Sequence, residues 1–234
     1  MPPSASTWPD TDGDKTFDLV IFDYDGTLSD TRGAIAHCLE RAFVSHGQAP
    51  PARQRALNAA GKGLTLHETC LLLDRSLNGD AAALDGIVKT YRKFYRDEGE
   101  SLTTMFPGAR DVLRHMHGRG VKCLIVTNKG VDAVRRSLDR YGLTYFIDFI
   151  VAEQPGAPHK PNPALLTERI LPEIPPIPKR RMLIVGDTEV DIQFAKNTGI
   201  ACCWATYGFG NKGRCEELAP EYRIDGLEDL AALI

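Results

Sequence analysis

The sequence of 234 residues has no long hydrophobic run. No apolar stretch approaches the roughly 20 residues that a helix needs to cross a bilayer, so we expect no membrane partner. Residues 1–15 are rich in Pro, Ser, Thr and Asp and contain neither a basic leader nor an apolar segment. They predict a disordered tail rather than a signal peptide, and hence a cytoplasmic protein.

The sequence also has no excess of either charge. Its 28 Lys and Arg residues nearly balance its 31 Asp and Glu residues, and the formal net charge is −3. A slightly acidic chain offers no basic surface for nucleic acid or for an anionic membrane. With 43% hydrophobic and 25% charged residues, the composition is that of an ordinary soluble enzyme with one substantial core. It does not distinguish a monomer from a homodimer.

The cysteines show no C-x-x-C spacing, so neither a thiolate metal site nor a redox motif is indicated. Several of them fall within apolar segments that read as strands. We therefore expect buried reduced thiols. The six cysteines are Cys38, Cys70, Cys123, Cys202, Cys203 and Cys215.

The most informative segment is Asp23-Tyr24-Asp25-Gly26-Thr27-Leu28, which directly follows the apolar run 19–22. Such a run predicts a buried strand of a parallel sheet, and ligands of such sheets bind beyond the carboxyl ends of the strands. The turn at Gly26 lets the carboxylates of Asp23 and Asp25 diverge around a common point. Two acids placed there can divide nucleophilic attack and proton transfer between them. A strand followed by an acidic polar turn is the alternative interpretation.

Three later stretches place further polar groups at strand ends. A second predicted strand, 121–126, ends in Thr127-Asn128, and a third, 181–185, ends in the run Gly186-Asp187-Thr188-Glu189-Val190-Asp191. Between them, Lys160 lies in the loop 159–163, just ahead of a helical segment. Helix capping or solvation could explain any one of these groups. Their combination and order are hard to attribute to capping. One edge of the sheet would collect Asp23, Asp25, Thr127, Lys160, Asp187 and Asp191.

Together these motifs closely resemble the haloacid dehalogenase superfamily of phosphohydrolases. The four motifs are D-x-D-G-T-L after a strand, a strand ending in Thr127, Lys160-Pro161, and G-D-x-x-x-D at 186–191. The resemblance spans about residues 17–230 and is greatest to the phosphoglycolate phosphatase group. It implies Mg²⁺-dependent hydrolysis of a small phosphate monoester through an aspartyl phosphate.

Charge counting supports a metal ion independently of the resemblance. Ionised Asp23, Asp187 and Asp191 would place three negative charges against the single positive charge of Lys160 and would repel a phosphate dianion. A divalent cation balances the cluster, and oxygen ligands suit Mg²⁺. The expected protein ligands are Asp23, the backbone carbonyl of Asp25, and Asp187. Asp191 is expected to orient water molecules or Lys160 around the ion instead of binding the ion directly.

The resemblance also implies a role for each group. Asp23 is expected to attack phosphorus, and Asp25 to protonate the departing alcohol and then to deprotonate water. Thr127 and the backbone N–H of Asn128 would bind the phosphoryl oxygens, and Lys160 would neutralise charge. A second acid at position 25 favours phosphate ester cleavage over carbon–halogen or carbon–phosphorus cleavage, where that position is usually non-acidic.

Residues 31–103 show helical periodicity and no strand-like run. The predicted fold is therefore an α/β, doubly wound, Rossmann-like parallel sheet of residues 16–30 and 104–234 with a helical cap inserted at 31–103. Helices in the insertion are predicted at about 31–46, 64–73 and 82–94, and helices of the sheet domain near 109–117, 131–140, 163–171 and 190–197.

Two further residues are expected to contact substrate. Gly26 forms the turn beside the acids, and Lys62 lies between two glycines in Gly61-Lys62-Gly63, where it can approach a bound anion closely. A solvated turn between helices is the alternative for this lysine. The segment Gly208-Phe209-Gly210-Asn211-Lys212-Gly213 fits a dinucleotide fingerprint, but it follows the fifth predicted strand rather than the first. The segment therefore predicts a flexible loop at the same edge of the sheet as the active site.

Two other functions remain open from the sequence. A phosphomutase of the β-phosphoglucomutase type would use the same scaffold and pass the phosphoryl group to a sugar. A signalling receiver domain also uses a phosphorylated Asp, Mg²⁺, Thr and Lys, but it has no cap-sized insertion and carries its phosphorylated Asp after a central strand. No such Asp precedes Thr127 here.

Overall fold

The computed structural model describes residues 16–234, so the predicted tail at 1–15 lies outside the described residues. The strands are β1 (Leu19–Phe22), β2 (Ser29–Asp30), β3 (Thr104–Met105), β4 (Lys122–Gly130), β5 (Phe149–Glu153), β6 (Met182–Gly186), β7 (Ala201–Ala205) and β8 (Tyr222–Ile224). The α-helices are α1 (Arg32–Ser45), α2 (Arg53–Ala60), α3 (Leu66–Leu73), α4 (Ala81–Asp97), α5 (Ala109–Gly118), α6 (Val131–Arg140), α7 (Glu189–Thr198) and α8 (Lys212–Glu217).

Six strands form one parallel sheet in the order β5-β4-β1-β6-β7-β8. The strand β1 lies in the middle of the sheet, between β4 and β6. Phe22, its last residue, pairs with Ile125 on one side and Val185 on the other. Beyond this level β1 and β6 end within one residue, and β4 becomes irregular after Val126, so the polar residues at these points converge at one edge.

Alternating side chains of the strands supply two separate hydrophobic cores. In β1, Val20 and Phe22 face one core, and Leu19 and Ile21 face the other. Helices α5 and α6 pack on the first face and α7 packs on the second. All four of these strand residues are at most 1% exposed, as expected for a parallel strand covered on both faces.

The helices α1–α4 lie between β2 and β3 and share a third hydrophobic cluster. Strands β2 and β3 pair antiparallel, so the chain enters and leaves this helical insertion through a two-stranded ribbon. The side chain of Ser29 reinforces the ribbon by donating a hydrogen bond to the carbonyl of Thr104 at 3.0 Å.

The predicted doubly wound α/β fold is confirmed, with two local differences. Helix α2 was missed because it buries only the small side chains of Ala56 and Ala59 and so carries no large apolar stripe. The predicted helix near 163–171 is a π-helical turn at Leu166–Ile170 that continues into a 3₁₀ turn at Leu171–Glu173. Its second residue, Pro172, cannot donate a helical hydrogen bond.

The expectation of buried thiols is confirmed, since all six cysteines are buried and none forms a disulfide. Burial raises the pKa of the Cys123 and Cys203 thiols to about 12. Among the described residues, no helix is long and apolar enough to cross a membrane.

Candidate active site

Three buried carboxylates meet at the carboxyl edge of the sheet. Oxygens of Asp23, Asp187 and Asp191 all lie within 4.8 Å of one another. Lys160, which is 4% exposed, joins two of them: its Nζ lies 2.7 Å from Oδ1 of Asp23 and 2.6 Å from Oδ1 of Asp191. The cluster therefore holds three acids against one directly bonded lysine, as the sequence predicted.

Burial dominates the electrostatics of the cluster. Desolvation raises the pKa of Asp23 to about 7, with a further contribution from Asp191, although Lys160 opposes the rise. Desolvation and the same acidic neighbours also raise the pKa of Asp187 well above its usual range. For Lys160, burial lowers the pKa, but its two carboxylate partners outweigh burial and raise the pKa overall. The excess negative charge of the site is thus only partly compensated by protein groups.

The surroundings of Asp187 include contacts that the sequence did not reveal. Its Oδ1 accepts a hydrogen bond from Thr27 Oγ1 at 3.1 Å, and its Oδ2 accepts one from the backbone N–H of Phe209 at 2.7 Å. A Cβ added to Gly208 or Gly210 would lie 2.2 Å from an atom of Asp187. The glycines of this loop therefore allow close packing around a carboxylate. The loop lies on the active-site side, as expected.

Gly26 approaches the same carboxylate from the other side of the site. It has φ +87°, and an added Cβ would lie 2.2 Å from Oδ2 of Asp187. We expect Gly26→Ala to destabilise the protein by at least about 2 kcal/mol, because the substitution adds backbone strain and a collision with a fixed side chain. Urea unfolding measures the loss. Gly33→Ala is the matched control, since nothing lies within 4 Å of its added Cβ. Equal unfolding midpoints for the two variants would contradict the prediction.

Asp191 is positioned by the start of α7. Its Oδ2 accepts hydrogen bonds from the backbone N–H of Thr188 at 3.0 Å and from Thr188 Oγ1 at 2.7 Å, which forms a capping box. Since Oδ1 binds Lys160, both oxygens of Asp191 already have partners. Asp191 thus connects the start of α7 to Lys160, and its expected role of orienting groups around a cation stays a prediction.

Thr127 and Asn128 lie in an irregular part of β4, where the pairing with β5 shifts register. The Thr127 hydroxyl accepts a hydrogen bond from the N–H of Lys129 at 3.2 Å, and its own proton remains available to a ligand. The side chain of Asn128 donates to the carbonyls of Gly63 at 2.8 Å and Lys160 at 3.0 Å. Asn128 thus connects the helical insertion and the Lys160 loop. Its predicted contact with substrate through the backbone stays a prediction.

Asp25 has a partner that sequence analysis missed. Nζ of Lys129 lies 3.0 Å and 3.2 Å from the two carboxylate oxygens of Asp25. Asp23 and Asp25 therefore diverge, as predicted, and each binds a different lysine. The only signal in the sequence was that a lysine directly follows Thr127-Asn128, and nothing local indicated that it would be buried beside an acid.

Lys62 is exposed, in a loop that packs closely on the sheet domain. A Cβ on Gly61 would lie 2.5 Å from the carbonyl oxygen of Phe209, and one on Gly63 would lie 2.6 Å from Thr188 Oγ1. Both flanking glycines are thus explained by close approach to the site loops. The contact of Lys62 with substrate stays a prediction.

The donor set fits a hard divalent cation. Carboxylate oxygens from Asp23, Asp187 and Asp191 converge, and no sulfur or imidazole belongs to this group. Burial, with a further contribution from the neighbouring acids, raises the pKa of Asp23 and Asp187. These are the ligand types that Mg²⁺ prefers.

A parallel sheet with a buried acid–lysine cluster at its carboxyl edge, and a helical insertion that contacts residues beside that cluster, is the arrangement of an α/β enzyme whose site lies between a sheet domain and an insertion. Residues 20–205 match the family described as haloacid dehalogenase-like hydrolase. The chain belongs to this family.

Individual relatives agree with the family assignment. The phosphoglycolate phosphatase of Pseudomonas syringae pv. syringae is 31% identical over 216 residues, which cover 91% of this chain and 78% of the relative. The phosphoglycolate phosphatase of Pseudomonas putida is 29% identical over 218 residues, with the same coverage. The chain is therefore an enzyme of the phosphoric monoester hydrolase class, as predicted.

A solved structure confirms the fold. A haloacid dehalogenase-like hydrolase from Bacteroides fragilis superposes with a TM-score of 0.80 at 23% identity, covering 92% of this chain and 99% of that one. The superposition extends over the helical insertion as well as the sheet, because nearly the whole of each chain is covered.

Proposed function

We propose that this protein hydrolyses a small phosphate monoester of the phosphoglycolate type, with Mg²⁺ as cofactor and a phosphorylated Asp23 as intermediate. The observation that carries the proposal is the buried cluster of Asp23, Asp187, Asp191 and Lys160 next to a second acid, Asp25. The names of the Pseudomonas relatives supply the substrate class.

Asp23 and Asp187, with the backbone carbonyl of Asp25, would hold the cation. When bound, Mg²⁺ neutralises the carboxylates and draws charge from the phosphoryl oxygens. Lys160 has a third ammonium proton beyond the two that face Asp23 and Asp191, and it directs that proton to a phosphoryl oxygen. The free hydroxyl proton of Thr127 binds another.

The first step transfers the phosphoryl group to the enzyme. The oxygen of Asp23 that Lys160 leaves unpaired attacks phosphorus in line. The bond between phosphorus and the ester oxygen breaks, its electron pair stays on that oxygen, and Asp25 supplies the proton that makes it an alcohol. Asp23 is then an acyl phosphate and Asp25 a carboxylate.

The second step regenerates the enzyme. Asp25 removes a proton from a water molecule, whose oxygen attacks phosphorus as the bond to Asp23 breaks. Inorganic phosphate leaves, Asp23 is again a carboxylate, and Asp25 has recovered its proton. One acid thus serves both half-reactions, which requires that it stay close to the phosphoryl group throughout.

The helical insertion at 31–103 is proposed to be a separate cap domain that excludes water from these steps. Its loop at Gly61 and Gly63 contacts Phe209, Thr188 and Asn128, all beside the site. Excluding water favours transfer to Asp23 over unwanted reactions and strengthens the charge interactions in the site.

A panel of phosphorylated metabolites assayed with Mg²⁺ and with EDTA tests the proposal. We expect Mg²⁺-dependent release of inorganic phosphate, with the highest kcat/KM for small carboxylated esters. Product analysis with and without a sugar bisphosphate separates hydrolysis from phosphoryl transfer. Isomerised sugar phosphate in place of free phosphate would identify a phosphomutase instead.

The exposed Lys62 is proposed to bind the carboxylate of the substrate. We expect Lys62→Ala to lower kcat/KM roughly tenfold for a carboxylated phosphate ester and less than about twofold for an aryl phosphate, since only the former offers a remote anion. Lys89→Ala, which removes another exposed lysine of the insertion on α4, is the matched control. Equal losses on both substrates would remove Lys62 from substrate selection.

A further inference from the structure

Lys129 is a buried cation that the mechanism above does not use. Its side chain is 9% exposed and that of Asp25 is 19% exposed, and the ammonium group faces both carboxylate oxygens. Burial lowers the pKa of Lys129, but Asp25 and the neighbouring tyrosines outweigh burial, so the pKa is raised and the lysine stays charged. Two contacts of this kind fix the carboxylate better than a single hydrogen bond.

The other side of Lys129 faces the helical insertion. Its Nζ lies 4.1 Å from the ring centroid of Tyr95 on α4, within the distance of a cation–π interaction. Tyr95 stacks on Tyr91 of the same helix with centroids 5.8 Å apart, and both rings are buried. The insertion thus forms one wall of the pocket that holds the lysine, and the sheet domain supplies Asp25 opposite.

A purely structural role would be to join the insertion to the sheet domain. Other ion pairs already do this with more exposed cations, such as Arg92 with Glu153 at 3.0 Å and Arg136 with Glu100. The Lys129 pair differs because its cation is only 9% exposed and because its acid is the group assigned to proton transfer. Burying a lysine costs desolvation free energy, and ion pairs with exposed cations connect the two domains without that cost.

Each of the two lysines forms ion pairs with different acids of the site. Lys160 binds Asp23 and Asp191, and Lys129 binds Asp25. Among the described residues, Lys129 is the cation that forms an ion pair with Asp25. Without its charge, the ion pair that holds the Asp25 carboxylate in place would be lost.

We propose that Lys129 is a positioning residue whose ammonium group, held against the Tyr95 ring, fixes Asp25 where it exchanges protons with the leaving group and with the attacking water. The inference rests on the proposed phosphatase mechanism and adds a link from the helical insertion to proton transfer. No new bond is made or broken, and each proton still moves through Asp25.

Lys129→Met tests the inference in the full-length protein with Mg²⁺. Methionine keeps most of the length and removes the charge. We expect the phosphorylation step on 2-phosphoglycolate, an alkyl ester, to slow about 10- to 100-fold with KM changed less than about threefold, since general acid catalysis is impaired. On 4-nitrophenyl phosphate the same step should slow less than about threefold, because that leaving group needs less protonation. Lys122→Met, in the same strand with an exposed partner in Asp148, is the matched control.

Tyr95 provides a second variant that leaves both charges in place. Tyr95→Phe keeps the ring and removes only the hydroxyl that also interacts with Lys129, so it should slow the step less than about twofold, whereas Tyr95→Leu removes both contacts and should reproduce the alkyl-selective loss to a smaller degree than Lys129→Met. This pair decides the question even if Lys129→Met is poorly folded. Thermal unfolding of each variant shows whether rate and stability change together.

A double substitution separates positioning from structure. In an Asp25→Asn background, Lys129→Met should have almost no further effect on the phosphorylation rate, because the lysine acts through the missing carboxylate. Equal slowing on alkyl and aryl substrates, or multiplied losses in the double variant, would overturn the inference and leave Lys129 as a structural joint. A wild-type protein that hydrolyses no phosphate ester would instead refute the proposed function, which is a distinguishable result.

Discussion

Asp23→Asn is expected to abolish phosphate ester hydrolysis, with a loss on the order of 10⁴-fold or more in kcat, because it removes the nucleophile. The fold should persist. The amide is nearly isosteric with the carboxylate, and its oxygen still accepts a hydrogen bond from Lys160, which lies 2.7 Å away in the wild type. The substitution also removes a buried charge, whose desolvation and repulsion by Asp191 raise the pKa of Asp23 in the wild type. We therefore expect the melting temperature without metal to be no lower than that of the wild type.

Two measurements make this prediction decisive. In the first, a substrate radiolabelled in its phosphoryl group should label the wild-type protein but not Asp23→Asn. In the second, Mg²⁺ should raise the melting temperature of the wild type more than that of the variant. Asp18→Asn is a control, since Asp18 precedes the same strand and binds Arg181 away from the cluster. Turnover of Asp23→Asn within about tenfold of wild type would show that Asp23 is not the nucleophile.

Asp25→Asn should give the second largest effect, a loss of roughly 10²- to 10⁴-fold on alkyl phosphates, which is the usual contribution of general acid–base catalysis. The variant should still bind Mg²⁺, because the ligand expected from this residue is its backbone carbonyl. Aryl phosphates should be affected less in the first step. Hydrolysis of the intermediate still needs the base, so phosphorylated enzyme should accumulate and a burst should be observed.

Rapid-quench kinetics on an alkyl and an aryl substrate measure the two steps separately. The variant also leaves Lys129 facing a neutral amide, so a lower melting temperature is expected and the rates should be taken well below it. If both substrates slow equally in the phosphorylation step, Asp25 is structural and does not act as the acid.

Part of the site could be predicted from the sequence because its residues lie in short, continuous segments. The run from Asp23 to Leu28 is short, follows a continuous apolar strand, and turns at Gly26, whose φ is indeed positive. Parallel strands of similar length end at one edge, so the position of Asp187 after β6 followed from the same reasoning. The burial of Lys160 between Asp23 and Asp191 agrees with the charge count.

Other parts depended on contacts between distant segments. The glycines of the 208–210 loop looked like a nucleotide fingerprint because the same residue type permits any close backbone approach, and here that approach is to Asp187. Helix α2 was missed because its buried side chains are alanines. The side-chain amide of Asn128 is used to hold Gly63 and Lys160, which its place at a strand end did not indicate.

The sequence by itself determined the parallel sheet, the acids at its edge and the family of chemistry, because strand periodicity and short motifs are encoded by neighbouring residues. Only the tertiary structure decided that Lys129 serves Asp25. The two residues lie 104 positions apart in the sequence. The place of Lys129 depends on the shifted register of β4 and on the contact of its ammonium group with the ring of Tyr95 on α4. That contact crosses from the helical insertion to the sheet domain, and no local pattern of residues specifies it.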